Sequence, residues 1–149
     1  MIYRGTEDGF KGKDFHRKCD NQGKTLGILK TEAQVGGQFK ISGWYTDIYW
    51  TSDYGWKEGS GNSFLFLLRD DMNLIKLRCT NKEYEVFHNE DFLCSFGWSD
   101  LWIRNDCNIN YDSCSKLGYE YELPTENEEF ALAGSFDFKV LEIEVYKVL

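Results

Sequence analysis

Near the end of the chain Leu141, Ile143 and Val145 alternate with Glu142, Glu144 and Tyr146. A repeat of two puts every apolar residue on one face of an extended strand and every polar one on the other, so this segment is a strand with one wet side. The same alternation recurs where Ile75, Leu77 and Cys79 interleave with Leu74, Lys76 and Arg78, and where Tyr84, Val86 and His88 interleave with Glu85 and Phe87. The polar residues Thr80 to Glu83 separate these two runs and predict an antiparallel hairpin. Phe64 to Leu68 is apolar at every position, as in a strand covered on both faces. Thr25 to Lys30, Gln38 to Tyr45 and Asp100 to Arg104 complete the expected strands. One helix is expected from about Phe10 to Cys19, with Asp8 as its cap, Phe15 and Cys19 one turn apart, and Gly12 weakening it by about 1 kcal/mol. Thr51 to Asn62 and Glu120 to Phe130 read as long loops, and Asp70, Asp71 and Asn73 as a solvated hairpin turn. The expected architecture is mainly β (α+β): one domain over residues 1–149, a two-layer antiparallel β sandwich with one or two short helices.

Composition narrows the function classes. With 11 Phe, 9 Tyr and 5 Trp among 149 residues, the chain has ample apolar surface to offset chain entropy. A net charge of -8 opposes approach to nucleic acid and to anionic membranes. No apolar run approaches the roughly 20 residues of a membrane span, and Met1 to Lys13 has no secretion signal, so a cytoplasmic location is expected. Cys19, Cys79, Cys94, Cys107 and Cys114 are odd in number and contain no CxxC pair, so reduced thiols without structural zinc are expected. Cys107 and Cys114 lie in a polar stretch where a redox-sensing pair is an alternative to inert thiols, though no cationic cluster adjoins them.

Chemistry-bearing motifs are sparse. His16 and His88 are the only histidines, and neither has a recognisable nucleophile context. The Gly36-Gly37 and Gly59-Ser60-Gly61 segments lack the lysine and hydroxyl residue of a phosphate loop. No cofactor or metal is expected. Among the tryptophans, Trp98 directly follows Phe96 and Gly97, the setting of an interface aromatic on a rigid turn, with covering of the sandwich end as the alternative.

Several segments together resemble the TLDc domain, the module of oxidation-resistance proteins. The opening Tyr3, Arg4, Gly5, Asp8, Gly9 and Phe10 leads to Phe15, His16, Lys18, Cys19, Asp20 and Asn21, then to Thr25, Leu26, Ile28 and Lys30. Gly43, Tyr45, Thr46, Trp50, Thr51 and Ser52 follow, then the Phe64 to Leu68 strand, Phe96 and Gly97, and Leu101 and Ile103. Ser113, Cys114 and Gly118 precede the closing Phe138, Val140, Ile143, Glu144, Val145 and Tyr146. The matches run in the expected order through the whole chain. Trp44 and Trp98 stand where the family often has the second glycine of a pair, which marks them as candidate interface residues, and Glu7 replaces a usual arginine. The start at Met1 lies almost inside the opening motif, as in a short form lacking the usual N-terminal segment or in a piece of a longer protein.

The resemblance implies a β sandwich with no established catalytic residues. It also implies a link to oxidative-stress protection and a protein partner, with vacuolar proton-pumping ATPase subunits as the family-suggested choice. A structural adaptor of a large cytoplasmic or cytoskeletal assembly is the alternative. A third reading is an enzyme acting on a small or carbohydrate substrate through carboxylates such as Glu144 or Asp100, because tryptophan faces stack on sugars.

Overall fold

The computed structural model describes residues 1–149. In chain order its elements are β1 (Tyr3–Arg4), α1 (Gly5–Asp8), α2 (Gly12–Cys19), β2 (Thr25–Ala33), β3 (Phe39–Thr46), β4 (Gly55–Lys57) and β5 (Phe64–Leu68). β6 (Leu74–Arg78), β7 (Val86–His88), β8 (Phe92–Phe96), β9 (Leu101–Arg104), β10 (Ser113–Cys114) and β11 (Asp137–Lys147) follow. The strands form one antiparallel sheet in the order β4-β7-β8-β9-β10-β11-β2-β3-β5-β6, with β1 also pairing β11. The closing alternation lies at its centre, where β11 is flanked by β2 and β10.

Both layers of the expected sandwich belong to this one sheet. β3 and β8 are five steps apart in the strand order, about 24 Å if the sheet were flat. Trp44 on β3 nevertheless sits with its ring centroid 5.4 Å from Phe96 on β8, so the sheet folds over and packs its two halves face to face. Trp50 lies between them, 5.4 Å from Trp44 and 5.7 Å from Phe96, and Phe15 of α2 closes the cluster at 5.4 Å from Trp50.

Four local expectations are corrected. The runs around Leu77 and Val86 do not form a hairpin: β6 pairs with β5, whereas β7 pairs with β4 and β8. The turn chemistry of Asp70 to Asn73 closes the β5–β6 hairpin, matching Leu65 with Leu77 and Leu67 with Ile75. The chain from Thr80 to Glu85, with a 3-10 turn at Lys82–Tyr84, instead carries it to the opposite end of the sheet. The presumed loop Thr51 to Asn62 contains the edge strand β4. Phe64 to Leu68 buries Leu65 and Leu67 but leaves Phe64, Phe66 and Leu68 half-exposed, shielded by neighbours such as Tyr45 and Lys76 on Phe64. The expected helix is present as α2, after the separate short α1, but Asp8 does not cap it: the Asp14 carboxylate accepts the Lys11 N–H at 3.1 Å instead. Asp8 accepts the Arg4 N–H at 2.9 Å and bridges Lys18 at 3.7 Å.

Candidate functional site

The residues of the opening motif join α1 and α2 to the central strands. Arg4 forks onto Glu144 of β11 through Nε at 3.2 Å and a terminal nitrogen at 2.5 Å, and the Gly9 carbonyl accepts the Tyr3 hydroxyl at 2.7 Å. His16 ties α2 to the β7–β8 turn: its Nδ1 donates to Asp20 at 2.6 Å, and its Nε2 faces the Asn89 and Phe92 carbonyls at 3.0 and 2.9 Å. Ser52 donates to the other Asp20 oxygen at 2.5 Å. Serine, aspartate and histidine thus meet, but the carboxylate lies in the middle. Ser52 bonds the far oxygen of the carboxylate and makes no hydrogen bond to either imidazole nitrogen, whereas nucleophile activation needs the histidine between the other two.

The second histidine is also buried in bonds. His88 stacks on Trp50 at 5.2 Å and donates from Nδ1 to Thr51 Oγ1 at 2.8 Å, while that hydroxyl donates to Asp53. Its Nε2 has no partner, which the neutral tautomer tolerates as a bare lone pair. Burial, with Lys57 adding, pulls its pKa down to about 4.

The carboxylates considered for catalysis are consumed by structure. Glu144 serves Arg4, and Asp100 is fully buried, accepting the N–H groups of Tyr119, Glu120 and Tyr121 at 3.2, 3.0 and 3.2 Å. Burial pushes the Asp100 carboxyl up to about 7 against the pull of those three donors. Gly97 makes this turn possible: its φ is +62°, and a Cβ there would overlap the Asp100 carboxylate. A second buried carboxylate, Glu85, accepts the Gly61 and Ser63 N–H groups, each at 2.9 Å, and so links the β7 end to the start of β5. None of these groups faces a substrate cleft. Two open concavities, of about 530 and 520 Å3, lie around the Arg69–Glu128 ion pair and beside His16, Arg17 and Ser52.

The five cysteines are free. Cys19, Cys94, Cys107 and Cys114 are buried, and burial raises all five thiols, Cys79 to about 11 and Cys107 to about 12. Raised pKa values disfavour the thiolate that peroxide chemistry requires, so the alternative of Cys107 and Cys114 as a redox-sensing pair finds no electrostatic support.

The two candidate interface tryptophans separate. Trp44 is fully buried, and its ring lies where a Cβ at Gly27, opposite it on β2, would fall, so the interface expectation for Trp44 is corrected. Gly43, beside it, packs against Gly27 and the Phe66 ring, and Trp50 donates to Thr25 Oγ1 at 3.0 Å from inside the core. Trp98 is 47% exposed, and the left-handed positions of its turn fall on its neighbours Gly97 and Ser99. It is one end of an outward aromatic strip that sequence reading missed. Trp56 of β4 contacts Tyr84, Phe87 and Trp98 at 5.1, 5.1 and 4.8 Å, and Phe87 stacks on Trp102 of β9 at 5.7 Å and 10°. The legible signal was parity: Phe87 and Trp102 alternate with the core residues Val86, Leu101 and Ile103, but only the ladder order makes them neighbours.

Fold and site together define a small antiparallel β sandwich whose buried polar groups hold loops and helices and whose aromatic surplus lies on one outer face. A sequence model of the TLDc domain matches residues 1–149, the whole chain. The chain belongs to the TLDc domain family. No curated protein matches it. No helix is long and apolar enough to cross a membrane.

Proposed function

We propose that the chain is a non-catalytic protein-interaction module of TLDc type, acting in the cytoplasm through a larger assembly. The observation that carries this reading is the family match along the entire chain. It is supported by the structural use of the buried polar groups: the Ser52, Asp20 and His16 set is wired in a non-catalytic order, and Asp100 and Glu144 are spent on backbone and arginine donors. By the family resemblance the partner is the vacuolar proton-pumping ATPase, and the cellular role is protection against oxidative stress. The raised thiols favour an indirect role over peroxide consumption by the protein itself.

Affinity purification of the endogenous protein from its own cells tests the partner. Recovery of ATPase subunits is expected. Their reproducible absence, where another TLDc protein recovers them, would sink the assignment, and stoichiometric recovery of a different assembly would make the chain a structural adaptor.

A further inference from the structure

We propose that the Trp98 end of the aromatic strip docks an arginine-bearing, basic segment of a partner protein. The inference rests on the interaction-module reading above and gives that partner its chemistry.

The strip already shows what it accepts. At its far end the Arg104 guanidinium lies over the Phe92 and Trp102 rings, 5.0 and 5.4 Å from their centroids. At the near end Trp56, Tyr84 and Trp98 form a connected triad, with centroids 4.8 to 5.7 Å apart, and no cation of this chain covers it. Nearby lysines are engaged elsewhere: Lys57 with Asp53 at 2.6 Å, Lys82 with Glu58 at 3.8 Å, and Lys116 over Tyr119.

Two acidic residues adjoin the members of the triad. Glu83 immediately precedes Tyr84, and Glu120 backs onto Gly97, where an added Cβ would lie 3.1 Å from the Glu120 Cβ. Partial burial, reinforced by the charge of Glu83, raises the Glu120 carboxyl, the electrostatic condition that an incoming cation relieves. The net charge of -8 draws basic partners over longer range. Trp56 lies on β4, the terminal strand of the ladder, so an extended segment can run beside the triad. A flat sugar suits the surface poorly, because Trp56 and Trp98 are inclined at 47° and the parallel pair, Phe87 and Trp102, is partly covered by Arg104.

The probe is an acetylated, amidated heptapeptide of alternating glycine and arginine, titrated against the full chain by tryptophan fluorescence and calorimetry at two salt concentrations. Saturable, salt-weakened binding is expected, lost when glutamine replaces arginine in the peptide. Trp98→Ala should weaken it at least about tenfold and Trp98→Phe much less, through loss of the cation–π contact. Glu83→Gln with Glu120→Gln should weaken it severalfold and flatten the salt dependence, whereas Asp70→Asn with Asp71→Asn, at the opposite end of the sheet, should not. Unchanged affinity in Trp98→Ala, equal losses in the two charge-neutralised variants, or binding of a neutral oligosaccharide in place of the peptide would overturn the proposal. If wild type and Trp98→Ala recover the same partner equally well, this surface inference fails while the module reading stands; if neither recovers a partner yet the peptide binds through Trp98, the reverse holds.

Discussion

His88 and Asp100 are both buried and titrate in opposite senses. His88 is lowered from 6.5 to about 4, so the unfolded chain takes up the proton first, and its contribution is complete above pH 6.5 and lost as pH falls toward 4. Asp100 is raised from 3.8 to about 7, so its contribution is complete below pH 4 and lost as pH rises toward 7. The stability of wild type relative to His88→Phe should therefore fall by up to about 3 kcal/mol as pH drops from 7 to 4, and relative to Asp100→Asn should fall as pH rises through the same window. Denaturant midpoints at several pH values read both slopes; parallel lines would refute the assignment. Neither environment was legible beforehand. His88 read as a strand residue and Asp100 as a strand start, and what perturbs them comes from segments distant in sequence, Trp50 and Thr51 in one case and Tyr119 to Tyr121 in the other.

At the scale of elements, α2 shows how local propensity misleads. Gly12 costs the isolated helix about 1 kcal/mol relative to alanine, so Gly12→Ala would stabilise it on propensity alone. In the fold, a Cβ at Gly12 would overlap the Glu90 carbonyl oxygen and lie 2.7 Å from the Asp91 carbonyl carbon, while the Gly12 N–H donates to Asn105 at 2.8 Å. Gly12→Ala is expected to destabilise the protein by about 1–3 kcal/mol and to raise amide exchange across Gly12–Cys19, because backbone rather than a flexible side chain blocks the new methyl. The mistaken hairpin has a similar origin. Alternation in β6 and β7 correctly marked two strands but carried no information on pairing; the Asp70 to Asn73 turn joined β6 to β5, and β7 found its partners in β4 and β8.

The whole molecule stands or falls with the closure of its one sheet. Trp44 bridges the halves, so Trp44→Ala should cost about 3–5 kcal/mol with coincident loss of secondary and tertiary signals, whereas Trp98→Ala should cost about 1 kcal/mol or less. Circular dichroism and fluorescence denaturation curves compare the two. Thiol chemistry reports the same closure. Cys79, the one cysteine that is not fully buried, should react first with a thiol reagent at neutral pH, and the other four only at the rate of unfolding. Fast labelling of Cys107 and Cys114 in the native protein would revive a redox role for that pair.

Period-two alternation, turn chemistry and aromatic content were enough to define an antiparallel β fold, most of its strands and the family motif, because strand parity and turn preference are properties of neighbouring residues. Which tryptophan is core and which is surface, how the strands are ordered, and how eight residues from Tyr54 to Arg104 become one strip were decided only by tertiary structure. Trp44 and Trp98 each follow a glycine and look alike in sequence, yet the folding of the sheet carries one ring into the space above Gly27 and leaves the other facing water. Burial at that distance depends on the packing of segments far apart in the chain, which no local pattern encodes.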